Sequence, residues 1–504
     1  MTRLLRFLVT VPAADLALGL IAALGQAPWG MWALTPLALA FATARIAAAG
    51  SARMALMHGF ALGLGYFGLA LSWITEPFFV QPQIYGWMAP FALALMAAGG
   101  AVFWAIPAVL AGRLLRGRAL RAAGFALGLA VAEWLRGWVF TGLPWAQTGH
   151  IWIGTPVAQL AAWGGALGLV MLTSGVVALA CALPGRLRLA GVGLTGSGLA
   201  AGLVLAAWVA GQQMLSAPLP ADHPARLRLV QPNAVQALKW DPYWAGVFYQ
   251  RLLDLSAAAP AHGQPRPDLV IWPETAVSFL LNDAGPVLDQ FTRAAGAPVL
   301  TGIQRREGAA YFNSLALIAR GGQVAALYDK AHLVPFGEYI PWGDVLAQFG
   351  ITAFAAQQGH GYAAGPGPAT LSVPGLPDLQ PLICYEAIFP QVLRDVARPG
   401  WLLQITNDSW FGHQSGPWQH LAQARLRAIE SGLPVIRVAN TGISAVIDAH
   451  GQIRAELGLD RQGFIDTALP AALAPTPWMR FGDAPALLVM ALAALIIAAI
   501  GRRR

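Results

Sequence analysis

Pro381-Leu-Ile-Cys-Tyr-Glu386 decides how this chain is read, because it sets Cys384 at the end of a short apolar run. Leu382 and Ile383 have the character of a buried strand, and Tyr385-Glu386 fall where such a strand opens into a turn. A strand end presents a side chain from a rigid support, and a thiolate held there is a nucleophile. Taken alone, the same cysteine reads equally well as a small buried residue. Its partners elsewhere in the chain decide between the two.

Two other strand ends carry complementary chemistry. Asp268-Leu-Val-Ile-Trp272 closes on Pro273-Glu274, and the strand Val324 to Tyr328 runs out at Lys330. A carboxylate, an ammonium and a thiol therefore each stand where a strand meets a loop. Lysine usage sharpens the pattern: of 32 Lys plus Arg, only Lys239 and Lys330 are lysine, so these two positions call for a compact ammonium. The chemistry that follows has Glu274 taking the thiol proton, Cys384 attacking an acyl carbonyl, and Lys330 with a backbone N–H near Tyr385 stabilising the oxyanion. The ammonium would also lower the thiol pKa. His332, His413 and His420 have no acid in an obvious orienting position, and no HExxH or CxxC occurs, so neither a metal nor a cofactor is called for.

Around these residues runs an ordinary alternation of strands and helices. Arg226 to Gln231 alternates as a first strand, and Trp244 to Ala258 has helical spacing. Asp283 to Ala294 reads as helix, Val299 to Gln304 and Leu315 to Ala319 as strands, and Phe389 to Val396 as helix. Leu402 to Thr406 is a strand, Gln419 to Ser431 a helix, and Val435 to Val438, Ser444 to Asp448 and Gln452 to Ala455 are strands, the last two joined by a turn at Ala449-His-Gly451. This mixture predicts a layered α/β domain with facing sheets, and a domain of this size buries a full core.

The rest of the chain is of another kind. Of 504 residues 57% are hydrophobic and only 11% charged, and residues 1–216 hold three acids, Asp15, Glu76 and Glu133. Candidate spans lie near 10–26, 30–49, 54–75, 87–112, 120–139, 157–183 and 189–211, with another at 484–500, each near the ~20 residues that a bilayer core needs. Arg3, Arg6, Arg45, Arg53, Arg113, Arg116, Arg118, Arg121, Arg186 and Arg188 fall in alternate loops and define the cytoplasmic side. The division is thus a seven-span domain at 1–216, an extracytoplasmic domain at 217–477 and a C-terminal span within 478–504 that returns Arg502 to Arg504 to the cytoplasm. The net charge of +8 is topology signal rather than a nucleic-acid footprint. Cys181 and Cys384 fall on opposite sides of the bilayer, so a disulfide between them is excluded and Cys384 is a reactive thiol. Gly63-Leu-Gly65-Tyr-Phe-Gly68 matches a dinucleotide fingerprint in letters only; within a span it reads as close helix packing. Glu133 and Arg136 share a helix face, either as functional charges or as an anchor for the next loop.

Trp272-Pro-Glu274, Tyr328-Asp-Lys330-Ala-His-Leu-Val-Pro-Phe-Gly-Glu338 and Cys384-Tyr-Glu386, with Thr406-Asn-Asp-Ser-Trp-Phe411, Arg427-Ala-Ile-Glu430 and Asn440-Thr-Gly442, resemble the carbon–nitrogen hydrolase (nitrilase) superfamily. Seven spans before such a domain and one after, with Glu133-Trp-Leu-Arg-Gly137 and Leu143-Pro-Trp145, are similar to the apolipoprotein N-acyltransferase family of bacterial inner membranes. The resemblance implies an αββα sandwich with a Glu274, Lys330, Cys384 triad, supported by Glu338, Tyr385 and Glu386, and with Trp240 near the substrate arm. It implies ping-pong transfer of a fatty acyl chain from a phospholipid, usually phosphatidylethanolamine, through a Cys384 thioester to the α-amine of a diacylglyceryl-cysteine apolipoprotein. It further implies cytoplasmic termini and a periplasmic catalytic domain. The triad alone is equally compatible with a membrane-tethered amidase or nitrilase that passes the acyl group to water. A transporter with an external binding domain is disfavoured, since the charges Asp15, Glu133 and Arg136 all lie toward span ends.

Overall fold

The computed structural model describes residues 2–182, 187–189, 192–260, 263–341 and 361–502. Arg186, Arg503 and Arg504 of the charge pattern lie outside them. The chain divides into two compact units, one comprising Met1–Ala217, Gln414–Ala422 and Thr476–Arg504, the other Pro218–His413 and Gln423–Pro475.

Helices dominate the first unit: α1 (Thr2–Ala23), α2 (Leu34–Ala47), α3 (Ala52–Ala70), α4 (Ala89–Leu114), α5 (Arg118–Arg136), α6 (Ala161–Ala182) and α7 (Gly196–Leu215), with a C-terminal helix Ala484–Arg502. Pro82–Leu114, Pro156–Ala182, Gly196–Leu215 and Ala484–Arg502 are long and apolar enough to cross a bilayer, and Ala52–Ala70 with Ser72–Phe79, bent by 46°, makes a fifth if it is one span. Helix α2, at 14 residues, extends only ~21 Å. Helix α5 carries Arg118, Arg121, Glu133 and Arg136.

Glycines set a close helix crossing. A Cβ on Gly65 would meet the Leu16 carbonyl oxygen at 2.1 Å, and one on Gly19 would meet that of Leu62 at 2.1 Å, so α1 and α3 touch backbone to backbone. Two of the three glycines that mimic a nucleotide fingerprint, Gly63 and Gly65, are therefore spent on packing, while a Cβ on Gly68 would meet nothing within 4 Å. Buried charges in this unit are paired. Asp15 receives Nε and Nη2 of Arg45 at 2.8 and 3.2 Å and contacts Nδ1 of His58 at 2.5 Å. Arg45 thus has a structural partner in addition to its place in the charge pattern. Glu133 pairs with Nη2 of Arg136 at 2.9 Å and accepts from Nε1 of Trp104 at 2.8 Å, while Nη1 of Arg136 donates to the carbonyls of Leu143 and Trp145 at 2.6 and 2.7 Å. The pair anchors the loop that follows α5.

The second unit is a sandwich of two sheets. Its strands are β1 (His223–Gln231), β2 (Leu269–Ile271), β3 (Val299–Glu307), β4 (Ala310–Ala319), β5 (Gln323–Asp329), β6 (Leu379–Ile383), β7 (Trp401–Thr406), β8 (Val435–Ala439), β9 (Ser444–Ile447), β10 (Ile453–Leu457) and β11 (Gly463–Leu469). One sheet has the order β11-β1-β2-β3-β4-β5, the other β10-β9-β8-β7-β6. Helices α8 (Pro242–Ala257) and α9 (Gly285–Ala295) cover the six-stranded sheet, where Leu252, Leu288 and Phe291 pack on Val230, Val270, Trp272 and Ile318. Asp241 caps α8 by accepting from the N–H groups of Tyr243 and Trp244, with Pro242 at the first helical position. Between the sheets, Oε1 of Gln231 accepts from Oγ of Ser444 at 2.6 Å.

One local expectation holds with an added feature and one is corrected. The strand expected over Arg226 to Gln231 is present, and its Arg228 is fully buried. Its guanidinium makes two bonds to Asp466 of β11, at 2.8 and 2.7 Å, and caps carbonyls of Leu255, Ser256 and Ala258 at the end of α8. Cations at a helix C-terminus meet orphan carbonyls, which is why a charge is tolerated here. The helix expected over Phe389 to Val396 is instead one short 3-10 turn, Pro390–Leu393, because Pro390 lacks an N–H and disfavours helix in the residue before it.

Parallel pairing positions the site. Strands β6, β7 and β8 run parallel in register, Ile383 beside Ile405 and Thr406 beside Ala439, so Cys384 leaves β6 level with Thr406 and Asn407 follows one residue later. Strand β2 lies parallel between β1 and β3 and delivers Glu274.

Candidate active site

Cys384 follows β6 with φ of +52°, a left-handed backbone that a non-glycine residue rarely adopts. Thr275, directly after Glu274, has φ of +45°, and Phe336, two residues before Glu338, has φ of +61°. All three loops that bear the cluster therefore hold a residue in an uncommon conformation, as expected where packing overrides local preference. Gly302 of β3 lies so close beneath Pro273-Glu274 that a Cβ there would meet the Pro273 carbonyl oxygen at 2.4 Å.

Glu386 holds two of these loops together. It is buried, its Oε1 accepting from the Tyr328 hydroxyl at 2.8 Å and the N–H groups of Ala331 and His332 at 2.8 and 3.1 Å, and its Oε2 from the Ile383 N–H at 2.7 Å. The turn that starts at Cys384 is thereby tied to the chain on either side of Lys330. Burial pushes the Glu386 carboxyl up from its ordinary range, opposed by these hydrogen bonds and by the Lys330 charge.

Lys330, 1% exposed, places Nζ 2.9 Å from Oε1 of Glu338 and 3.6 Å from Oε1 of Glu274. Nδ2 of Asn313 donates to both carboxylates, at 2.7 Å to Glu274 and 3.1 Å to Glu338. The second oxygen of Glu274 accepts from the Asn407 N–H at 2.8 Å, and that of Glu338 from the Val334 N–H at 2.9 Å. Burial alone would lower the Lys330 ammonium, but Glu338, Glu274 and Cys384 outweigh it and hold the pKa above the ordinary lysine value. The Cys384 thiol is pushed well above its usual range by burial, with Glu274 adding to the rise and Lys330 opposing it. The ammonium thus pulls the thiol in the direction expected from the sequence, but burial and the carboxylate prevail. The resting site holds a neutral thiol beside a carboxylate and a fixed ammonium, a set suited to proton removal during attack on a carbonyl.

The structure brings Glu274, Lys330, Cys384, Glu338, Tyr385 and Glu386 together. Tyr385 is buried, and its ring meets Phe389 edge-on at 5.1 Å. Trp240 is half-buried beyond the turn Gln236–Leu238 and hydrogen-bonds to no member of the cluster among the described residues. His332 stacks on Phe389 at 3.8 Å, and His413 pairs with Asp460 at 2.9 Å at the exposed surface. Sequence reasoning missed Asn313 as the shared donor; its signal is the one amide side chain in the largely apolar strand β4. Asn407 and Asp408 contribute as well, Asp408 accepting from Oγ1 of Thr406 at 2.8 Å and pairing with Arg437 beneath the site.

This fold and site define an enzyme of the carbon–nitrogen hydrolase class: the carbon–nitrogen hydrolase family model matches residues 226–476, and that of the apolipoprotein N-acyltransferase N-terminal domain matches residues 18–183. The apolipoprotein N-acyltransferase of Rhodopseudomonas palustris is 37% identical over 95% of this chain and 93% of its own. That of Caulobacter vibrioides is 38% identical over 97% and 94%, and that of Bradyrhizobium diazoefficiens 38% over 89% and 86%. The chain belongs to the apolipoprotein N-acyltransferase family.

The electrostatics fix opposite outcomes for two substitutions. Lys330→Met removes the cation that favours the thiolate, so alkylation of Cys384 by iodoacetamide at fixed pH, read by peptide mass mapping, falls about tenfold or more. Glu274→Gln removes an opposing charge, so the midpoint of the alkylation pH profile falls, whereas Lys330→Met raises it. Equal rates in all three proteins would contradict this arrangement.

Proposed function

We propose that the protein moves a fatty acyl chain from a phospholipid, phosphatidylethanolamine being the expected donor, to the N-terminal α-amine of a diacylglyceryl-cysteine apolipoprotein. The observation that carries this reading is the buried meeting of Glu274, Lys330 and Cys384 in a chain whose relatives bear that name over nearly their full length.

In the first half-reaction Glu274 takes the thiol proton as Sγ of Cys384 attacks the ester carbonyl. The C–S bond forms, and the oxyanion is held by Lys330 with the N–H of Tyr385. The C–O bond breaks, the proton passes from Glu274 to the departing alkoxide, and lysophospholipid leaves. In the second, the acceptor amine gives its proton to Glu274 and attacks the thioester; the C–N bond forms, the C–S bond breaks, and the departing thiolate takes that proton to restore the thiol. Because burial disfavours the thiolate at rest, proton removal accompanies attack. Glu338 and Asn313 keep Lys330 and Glu274 in position, Glu386 aligns the Lys330 and Cys384 loops, and Trp240 borders the substrate arm. The paired carboxylates need Lys330 charged, so replacing it disturbs both at once. Transfer is favoured over hydrolysis by the family; an amidase or nitrilase passing the acyl group to water is the lesser reading.

Membrane placement follows the same reading: eight crossings, domains at 1–216, 217–477 and 478–504, both termini cytoplasmic and the catalytic domain periplasmic at the bacterial inner membrane. The apolar helices and the bacterial relatives support membrane residence.

Incubated with radiolabelled phosphatidylethanolamine and a diacylglyceryl lipopeptide, the protein is expected to label the lipopeptide, with a hydroxylamine-labile adduct on Cys384 that Cys384→Ser abolishes. Glu274→Gln lowers the transfer about a thousandfold. Label released chiefly as free fatty acid would favour the hydrolase. For topology, alkaline phosphatase fused within the 217–477 region is expected to be active and fused after Arg116 to be inactive; the reverse would overturn the orientation.

A further inference from the structure

Lys239 is the other of the two lysines, and the triad leaves it without a task. It follows the turn Gln236–Leu238 and is 2% exposed. Two hydrogen bonds fasten this turn to the active-site loops. Oε1 of Gln236 accepts from Nδ2 of Asn407 at 2.7 Å, and the Lys239 carbonyl accepts from Oγ of Ser278, four residues past Glu274, at 2.6 Å. Yet the Lys239 ammonium has neither a hydrogen bond nor an ion pair among the described residues, although it lies within electrostatic reach of Glu274.

Glu274 does not serve as its counterion, since its oxygens are taken by Asn313, Lys330 and the Asn407 N–H. Burial without a partner lowers the Lys239 ammonium to about 8, with Glu274 only partly offsetting the fall. A buried cation held this way gains most from an anion that arrives with the substrate. Of the two substrates, the acyl donor carries a phosphodiester one glycerol backbone away from the ester carbonyl; the acceptor presents an amine, which a cation does not attract.

We propose that Lys239 is the subsite for the phosphodiester of the acyl donor, a specificity-determining cation that touches the lipid's anionic group while Lys330 serves its carbonyl. The proposal rests on the acyl-transfer reading above. It assigns the two lysines to the two ends of one glycerophospholipid and gives the site a reason to prefer a phospholipid over an uncharged ester.

The test uses the full chain in detergent micelles and follows Cys384 acylation by intact mass. Two donors are compared, phosphatidylethanolamine and the neutral ester p-nitrophenyl palmitate. Lys239→Met is expected to lower the rate ratio of phospholipid to nitrophenyl ester about tenfold or more, through the apparent KM for phospholipid. Lys239→Arg, which keeps the charge on a bulkier planar group, recovers part of the ratio that Lys239→Met loses. An unchanged ratio in Lys239→Met, a parallel fall with both donors, or a protein inert to both would overturn the assignment. A parent protein that forms no adduct from either donor defeats the acyl-transfer reading itself, an outcome distinct from any change in ratio.

Discussion

One buried carboxylate holds the catalytic unit in register. Glu386 receives four hydrogen bonds, three from the chain flanking Lys330 and one from the strand that ends at Cys384. Taking a carboxylate out of water costs several kcal/mol, so it stays buried only when its oxygens are satisfied this completely. Those donors come from segments some 55 residues apart in sequence, which makes the cost of burial a constraint on geometry: if either loop moves, the carboxylate loses its partners. The left-handed turn at Cys384 is affordable for the same reason, since its first turn is closed by the bond from the Ile383 N–H to Glu386.

On this frame the charges divide their work. Glu274 and Glu338 converge on one ammonium and one amide, Lys330 and Asn313, and each carboxylate also takes a backbone N–H on its remaining oxygen. Two anions so close would repel without the cation between them. The thiol sits in a field set by all of these, raised by burial and by Glu274 and lowered by Lys330. Burial and Glu274 therefore favour the protonated sulfur, and Lys330 the ionised one.

Much of this was legible in the sequence because strand ends are marked by composition. A buried apolar run closed by Pro-Glu, a lysine in a chain that otherwise uses arginine, and a cysteine before Tyr-Glu each point to a place where a sheet edge offers a side chain. Asn313 escaped notice since an Asn-Ser pair in a largely apolar strand reads as solvent-facing until its two partners arrive from distant loops. Strand β11 was missed because its residues are mostly half-buried and its partner β1 lies more than two hundred residues earlier. Arg228 shows the limit of alternation: a period of two separates the faces of a strand but does not say which face meets water. In the helical unit, Asp15 reads as a flaw in the first span until folding brings Arg45 and His58 to it.

The most direct measurement is an experimental structure of the protein trapped with an acyl group from a slowly transferring donor. The account predicts continuous density from Sγ of Cys384 to the acyl carbon, with the carbonyl oxygen within hydrogen-bonding distance of Nζ of Lys330 and a carboxylate oxygen of Glu274 beside the sulfur. An acyl chain bonded to any other residue, or a carbonyl oxygen turned away from Lys330, would contradict it.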